Sequence, residues 1–181
     1  MPHHFEQAAT GRAKCRACGA AIAKGAWRLG EVVPNLYADA DGAEAVQWYH
    51  ACCCAYRRPE AARAALDSAS DGLPDRAALV AAADLGLALP RLARLHEAGR
   101  AASGRAACRH CHAAIAKDTW RIGLLFWQDG RFSPAGFVHV ACAGGYFETT
   151  ALVDRLRYFT PGLTDADLAE IEAALIAPPA A

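Results

Sequence analysis

The stretch AAIAKGAWRLG at residues 20–30 occurs again as AAIAKDTWRIG at residues 113–123, with three differences and an offset of 93 positions. A C-x-x-C motif precedes each stretch at the same offset, at residues 15–18 and 108–111. An H-x-x-C motif follows each stretch, so the order of motifs is the same in both copies. The chain is therefore an internal repeat with a unit of about ninety residues, and two copies account for its 181 residues.

Length and composition allow one ordinary globular domain or two small ones, and the repeat favours two. The 54% hydrophobic and 21% charged residues are typical of a folded protein, and 181 residues exclude a large multidomain enzyme. Gly86 and Pro90 interrupt a helical pattern near the end of the first copy. We therefore place one domain at residues 1–88 and the other at residues 89–181.

Charge and apolar stretches restrict where the protein acts. The 19 basic residues balance the 19 acidic ones, so any contact with DNA or an anionic membrane must be local. The longest apolar stretch, residues 77–89, is interrupted by Asp84 and is too short to span a bilayer. The N-terminal residues lack the basic start and apolar run of a signal peptide. We therefore expect an intracellular protein with reduced thiols and no membrane partner, in the cytoplasm or nucleoid of a bacterium or the nucleus of a eukaryote.

Local patterns predict an α+β fold, in which each small domain is a β-hairpin or small antiparallel sheet with flanking helices. In the first copy, apolar and polar residues alternate over residues 27–33, which predicts a strand, and residues 45–49 predict its partner. The second copy repeats this pattern. A variable loop joins the two strands in each copy, at residues 34–44 and 128–135.

Three further local patterns concern the ends of the copies. Thr164 and Asp167 have the spacing of a capping box, which predicts an amphipathic helix at the end of the second copy. Residues 91–98 predict a short helix ahead of the second cysteine pair. His3 and His4 are expected to lie in a frayed terminus.

The repeated cysteines and histidines have the chemistry of a zinc site. Zinc prefers four nitrogen or sulfur ligands in a tetrahedron, and a C-x-x-C turn presents two thiolates to one ion while a distant H-x-x-C completes the set. The sequence predicts one Cys3His set in each copy: Cys15, Cys18, His50 and Cys53 in the first, and Cys108, Cys111, His139 and Cys142 in the second. Four protein ligands leave no open position for water. We therefore expect two structural Zn²⁺ ions per chain and no catalytic residues.

Two alternatives to this assignment concern the cysteines. A thioredoxin-like redox role for C-x-x-C is disfavoured, because the βαβ setting is missing and the paired H-x-x-C motif would have no purpose. Cys52 or Cys54 could replace Cys53 by a shift of one residue, but only Cys53 reproduces the spacing of the second copy. We expect Cys52 and Cys54 to be packing thiols.

The motifs G-R-A-x-C-x-x-C, I-x-K and W-R-[L/I]-G, a long loop and then H-x-x-C together resemble the PARP-type zinc finger of poly(ADP-ribose) polymerases and of a DNA ligase. Both copies carry these motifs. The gap from Cys18 to His50 is 31 residues and that from Cys111 to His139 is 27, which matches the unusually long middle spacing of that family. The resemblance implies tandem fingers that bind DNA strand breaks or ends independently of sequence. A catalytic domain is missing from the sequence, so polymerase or ligase activity is not implied.

The resemblance also implies which side chains contact DNA. Phosphate-contacting arginines of the family lie three residues before the first cysteine and ten after the second, and these positions hold Arg12, Arg28, Arg105 and Arg121. Base-stacking side chains of the family lie in the variable loop, where the candidates are Leu36, Tyr37, Trp127 and Phe132. Phe132 is the first choice, because Trp127 continues an apolar run and could belong to the core.

Charge is unevenly distributed between the two copies. Residues 91–131 contain eight basic and three acidic residues, so the second copy keeps a basic side. In the first copy, Asp39, Asp41 and Glu44 place negative charge in the loop that would approach DNA, where it repels phosphate. We therefore expect the second copy to dominate DNA binding.

Two other functions remain open from the sequence. In the first, the same zinc scaffolds present an apolar or acidic face to a partner protein. The second, an enzyme, ranks lower because closed metal sites leave no obvious nucleophile or base. No small-molecule substrate is expected.

Overall fold

Two compact units make up the protein in this computed structural model, which describes residues 2–35, 43–69 and 72–176. The units divide between Ala93 and Arg94, a few residues after the boundary placed from the sequence. Each unit is described separately below. Among the helices of the described ranges, none has the length and apolar character needed to cross a membrane.

The first unit has a three-stranded antiparallel sheet, ordered β1-β2-β3, followed by helices. Its elements are β1 (His4–Gln7), β2 (Trp27–Pro34), β3 (Glu44–His50), α1 (Ala51–Arg57), α2 (Pro59–Asp67) and α3 (Arg76–Ala88). The alternating pattern therefore predicted β2 and β3 correctly. The expectation of a frayed terminus was wrong, because His4 begins β1 and the ring Nδ1 of His3 accepts a hydrogen bond from the Val32 N–H at 3.0 Å.

The second unit repeats this plan, with a sheet ordered β4-β5-β6. A 3₁₀ helix at Pro90–Arg94 leads into it. Its elements are β4 (Leu95–Arg100), β5 (Trp120–Gln128), β6 (Arg131–His139), α4 (Val140–Phe147), α5 (Val153–Phe159) and α6 (Asp165–Ile176). The α+β class expected from the sequence is thus confirmed, as two small domains with antiparallel sheets and helices.

The segment before the second cysteine pair corrects the sequence analysis. Residues 91–98 were predicted to be helical, but only a 3₁₀ turn forms, and β4 follows as the edge strand of the sheet. Leu95 pairs with Leu124 and Ala98 pairs with Ile122, with an irregularity between them. The hydrogen bonds that β4 makes with β5 override the helical preference of these residues.

The connection between β5 and β6 is also shorter than expected. Residues 128–135 were predicted to form a loop, but the two strands extend through this segment and turn at Asp129 and Gly130. Both residues have positive φ, 51° and 73°, as a two-residue hairpin turn of the Asp-Gly type requires. The long loop is therefore a tight hairpin.

The capping box in front of α6 is confirmed. The Thr164 hydroxyl accepts a hydrogen bond from the Asp167 N–H at 3.1 Å, and the Asp167 carboxylate accepts one from the Thr164 N–H at 2.9 Å. Leu168, Ile171 and Leu175 then form the buried face of the helix. The reciprocal bonds fix where the helix begins.

Helices cover one face of each sheet, and in the first unit this face buries an ion pair. Glu31 of β2 is 2% exposed, and its carboxylate accepts hydrogen bonds from Nη2 and Nε of Arg58 at 2.7 and 2.9 Å. Tyr49 and Cys54 are fully buried near this pair. Burial and the negative charge of Glu31 raise the pKa of the Tyr49 hydroxyl and that of the Cys54 thiol well above their ordinary values.

The second unit has an apolar set at the equivalent positions. The residues that correspond to Glu31, Tyr49, Cys54 and Arg58 are Leu124, Val138, Ala143 and Phe147. Each of these four is at most 2% exposed. One scaffold is thus stabilised by two different cores, one with an internal ion pair and one by packing alone.

Candidate metal centres and nucleic-acid interface

Each unit brings four zinc-ligating side chains together. Within each cluster the ligand atoms all lie within 4.8 Å of one another. The clusters are Cys15, Cys18, His50 and Cys53 in the first unit, and Cys108, Cys111, His139 and Cys142 in the second. These are the eight residues predicted from the sequence.

A tight backbone turn presents the first two cysteines of each set. In the first unit the Cys15 N–H donates to the Ala20 carbonyl and the Gly19 N–H donates to the Cys15 carbonyl, both at 2.8 Å. Gly19 has a φ of +74°, which glycine adopts without strain. The same bonds occur in the second unit, where His112 takes the positive φ, 63°.

The other two ligands lie where the last strand passes into a helix. His50 ends β3 and caps α1, and Cys53 follows in the first turn of that helix. His139 and Cys142 have the same places at the end of β6 and the start of α4. The backbone N–H of each histidine also donates to the first cysteine of its set, at 3.4 Å in both units.

The distances within each cluster fit a tetrahedral zinc ion. His50 Nδ1 lies 3.5 Å from Cys18 Sγ and 3.8 Å from Cys53 Sγ, and the corresponding distances from His139 Nδ1 are 3.4 and 3.8 Å. With Zn–S of about 2.3 Å and Zn–N of about 2.0 Å, a tetrahedron places ligand atoms roughly 3.5 to 3.8 Å apart. The side chains therefore need little rearrangement to hold the metal.

Hydrogen bonds select the nitrogen that faces the metal. His50 Nε2 lies 3.3 Å from the Ala21 carbonyl oxygen, and His139 Nε2 lies 3.2 Å from that of Ala114. A carbonyl only accepts, so Nε2 carries the proton in each ring and donates it. Nδ1 then keeps its lone pair directed towards the thiols.

Ionisation of all the thiols of a cluster is unfavourable without a cation among them. A hydrogen bond from Cys53 and several from backbone N–H groups hold the pKa of Cys15 at about 5. In the second unit, burial and the neighbouring thiolates of Cys111 and Cys108 raise the pKa of Cys142 to about 12. A Zn²⁺ ion removes this conflict, because its charge compensates several thiolates at once. The two Cys3His sites therefore fit two structural zinc ions, each with a complete set of protein ligands.

The neighbours of Cys53 take no part in the cluster. Cys54 is fully buried, and its thiol lies 3.8 Å from the Arg58 carbonyl oxygen. Cys52 is partly buried, and burial raises the pKa of its thiol. Cys53 is the thiol of this run that the structure brings to His50, as the spacing of the second copy predicted.

On the sheet face away from the helices, Arg28 of β2 is neutralised within the first unit. Its Nη2 and Nε lie 2.5 and 3.0 Å from the Glu6 carboxylate, and its Cζ lies 3.6 Å from the centre of the Trp48 ring. Its side chain is 11% exposed. The arginine that the resemblance assigns to phosphate therefore already has an anionic partner.

Arg121 of β5 has the equivalent place in the second unit, but within the described ranges it has no such partner. Its Cζ lies 3.6 Å from the centre of the Phe137 ring, as Arg28 lies over Trp48. Gly99 of β4 pairs with Arg121, as Glu6 of β1 pairs with Arg28. Among the residues that the structure describes, the Arg121 guanidinium makes no ion pair or hydrogen bond.

The remaining predicted DNA contacts divide into three groups. Arg12 and Arg105 are both exposed. Leu36 and Tyr37 lie outside the described residues. Trp127 and Phe132 are paired across the hairpin near its turn, with ring centroids 4.6 Å apart, and both are partly exposed.

The aromatic pair shares a face with Arg121. Alternate residues of a strand point to the same side, so Arg121 and Trp127 lie on one face of β5, roughly 20 Å apart. On β6, Phe132 lies opposite Trp127 and Phe137 lies opposite Gly123, so both rings lie on the same face as Arg121 and Trp127. One side of the hairpin thus combines a guanidinium near the zinc site, which has no ion-pair partner within the described residues, with two tilted aromatic rings near the turn.

A known protein family matches most of the first unit. Residues 6–82 match the family described as the poly(ADP-ribose) polymerase and DNA-ligase zinc-finger region. Compared with curated proteins, the chain gives no match. The family match and the Cys3His cluster together support a PARP-type zinc finger in the first unit, which is a non-catalytic module. They support zinc-dependent binding of nucleic acid or protein.

Proposed function

We propose that this protein is a tandem PARP-type zinc-finger protein that binds DNA strand breaks or ends without reading sequence, mainly through its second unit. The second finger is assigned at residues 89–181 from its repeated motifs and its repeated ligand geometry. Binding, rather than catalysis, is the activity of the whole chain, and it takes place inside the cell. The observation that carries the proposal is the hairpin face on which Arg121, without an ion-pair partner among the described residues, is accompanied by partly exposed aromatic rings.

Phosphate contact and break recognition require different groups. Arg121 and the exposed Arg105 can each neutralise one backbone phosphate, but phosphates are present along any duplex and cannot distinguish an end. A discontinuity exposes the face of a base pair, and an aromatic ring that stacks on it is worth roughly 1 to 3 kcal/mol for any base. The Trp127–Phe132 pair supplies such rings.

We expect Arg121→Ala to weaken binding to every DNA sequence equally. The plot of log K against log salt should flatten by about one unit, because one phosphate contact is lost. Arg105→Ala should act in the same way. Arg28→Ala should reduce DNA affinity much less, because Glu6 already neutralises Arg28. Equal losses of affinity from Arg28→Ala and Arg121→Ala would contradict the asymmetry between the units. Fluorescence anisotropy over a series of salt concentrations measures these effects.

We expect Phe132→Ala to reduce affinity for nicked or blunt-ended DNA by about fivefold to a hundredfold, the equivalent of one stacked base. Weak binding to closed circular duplex and the two bound zinc ions should stay unchanged. The matched variant Phe126→Ala removes an exposed ring from the opposite face of β5 and should leave DNA binding intact. If Phe132→Ala weakens binding to nicked and closed circles equally, this hairpin is not an end sensor.

A protein partner is the second candidate function, and the same Phe126 supports it. Its ring is 48% exposed, with the Arg94 guanidinium 4.4 Å from the ring centre. Aromatic side chains and arginine are both enriched in protein interfaces, and a guanidinium close to a ring is attracted to it. If Phe126→Ala reduces DNA binding and Phe132→Ala does not, the assignment of Phe132 to DNA and that of Phe126 to a protein partner are both wrong. If the wild-type protein shows no preference for DNA ends, the protein partner is favoured.

A further inference from the structure

We infer that Glu6 determines which of the two units binds phosphate, because its carboxylate occupies the place at Arg28 that a phosphate would take. The first unit then has the same phosphate-binding face as the second unit, but with the place for phosphate occupied by Glu6. The inference rests on the proposed function in taking a backbone phosphate as the partner of these arginines.

Strand pairing places the carboxylate on the guanidinium. Glu6 lies directly opposite Arg28 in the β1–β2 register, and Arg28 lies directly opposite the zinc ligand His50 in the β2–β3 register. Two guanidinium nitrogens contact one carboxylate oxygen, at 2.5 and 3.0 Å. Trp48 covers one face of the guanidinium, so a phosphate must displace Glu6 to make the same two hydrogen bonds.

Packing around Gly30 holds this arrangement in place. A Cβ at Gly30 would lie 2.9 Å from the side chains of His4, Trp48 and Val46. The imidazole of His4 also meets the Trp48 ring edge-on, with centroids 5.7 Å apart. β1 is therefore packed tightly against the strand that carries Arg28, which keeps Glu6 at the guanidinium.

In the second unit the same register position is Gly99. It has no carboxylate to offer Arg121, and the space beside it is open, because an added Cβ would have no neighbour within 4 Å. The Cβ of an introduced glutamate thus has room at Gly99. The difference between the units can therefore be reversed by substitution. Glu6→Gln removes the carboxylate beside Arg28, and Gly99→Glu adds one beside Arg121.

The direct test uses inorganic phosphate as the probe and the zinc-loaded full chain. The Nε–Hε signals of Arg28 and Arg121 are followed by NMR during a phosphate titration. In the wild-type protein the Arg121 signal should shift and the Arg28 signal should stay in place. In Glu6→Gln the Arg28 signal should shift on addition of phosphate. In Gly99→Glu the Arg121 signal should no longer shift. In Gly99→Gln, where the new side chain has the same size without the charge, the Arg121 signal should still shift.

The same variants are then compared on nicked DNA. Glu6→Gln should increase affinity about threefold to tenfold and steepen the salt dependence by about one unit. Glu60→Gln removes an equal charge from α2 and should have little effect. In an Arg28→Ala background the gain from Glu6→Gln should disappear. Gly99→Glu should lower affinity about tenfold.

These two readouts separate failure of the inference from failure of the proposed function. The inference is overturned if Arg28 responds to phosphate in the wild-type protein as Arg121 does, if Arg28 stays silent in Glu6→Gln, or if neither arginine responds in any variant. If the phosphate responses follow the expected pattern but no variant prefers nicked over closed DNA, the inference holds and the proposed function is wrong. Two zinc ions per chain in every variant exclude unfolding as the cause.

Discussion

Replacing one zinc ligand should unfold the unit that contains it. We expect Cys53→Ser to abolish the folded first unit and Cys142→Ser the folded second unit, because zinc binding is worth on the order of 10 kcal/mol per site and a domain of this size has a small core. Metal analysis should give two zinc ions in the wild-type chain and one in each of these variants. Circular dichroism and NMR would show which unit loses its structure.

Cys54→Ser is the matched control, because it changes the neighbouring thiol. Cys54 is fully buried but lies outside the cluster, and a serine hydroxyl can still approach the Arg58 carbonyl oxygen. We expect a loss of about 1 to 2 kcal/mol with both zinc ions retained. Equal damage from Cys53→Ser and Cys54→Ser would mean that the ligand assignment is wrong, and a fold that survives thorough chelation would contradict the structural role of zinc.

The second large effect concerns the buried ion pair of the first unit. We expect Glu31→Leu to lower the free energy of unfolding by about 2 to 4 kcal/mol, because Arg58 loses its carboxylate in a largely buried site. The estimate is below that for a fully buried pair, since the Arg58 side chain keeps 23% exposure. Denaturant unfolding in excess zinc, followed by tryptophan fluorescence, measures the change.

The second unit supplies the control for this experiment. Glu31→Leu combined with Arg58→Phe copies Leu124 and Phe147, the apolar residues at the equivalent positions. The double variant should recover at least half of the stability lost in Glu31→Leu, because no charge is then left unpaired in the core. If the double variant is less stable than Glu31→Leu, the two cores are not interchangeable.

The zinc centres and the central hairpin strands were predictable from the sequence because their signals are local and chemically specific. Cysteine and histidine at this spacing indicate few functions other than metal binding. The H-x-x-C spacing of the second copy identified Cys53, rather than Cys52 or Cys54, as the ligand. The edge strands were missed for the opposite reason. β1 is four residues long and β4 is rich in residues that also favour helices, so only their pairing with β2 and β5 defines them.

The difference between the two proposed phosphate-binding faces was missed because it depends on those edge strands. Glu6 and Arg28 lie 22 positions apart in the chain, and nothing local connects them. The repeat itself contained a signal, since an offset of 93 aligns Glu6 with Gly99 as it aligns Arg28 with Arg121. That signal has a meaning only once both positions are known to lie on strands beside the arginines.

One measurement tests the central claim most directly: the affinity of the zinc-loaded wild-type protein for a relaxed closed DNA circle and for the same circle carrying a single nick, at one salt concentration. The two substrates have the same sequence and almost the same number of phosphates, so only the discontinuity differs. The account predicts at least tenfold tighter binding to the nicked circle, the equivalent of about 1.4 kcal/mol from stacking on the exposed base pair. Equal affinity for the two circles would contradict it.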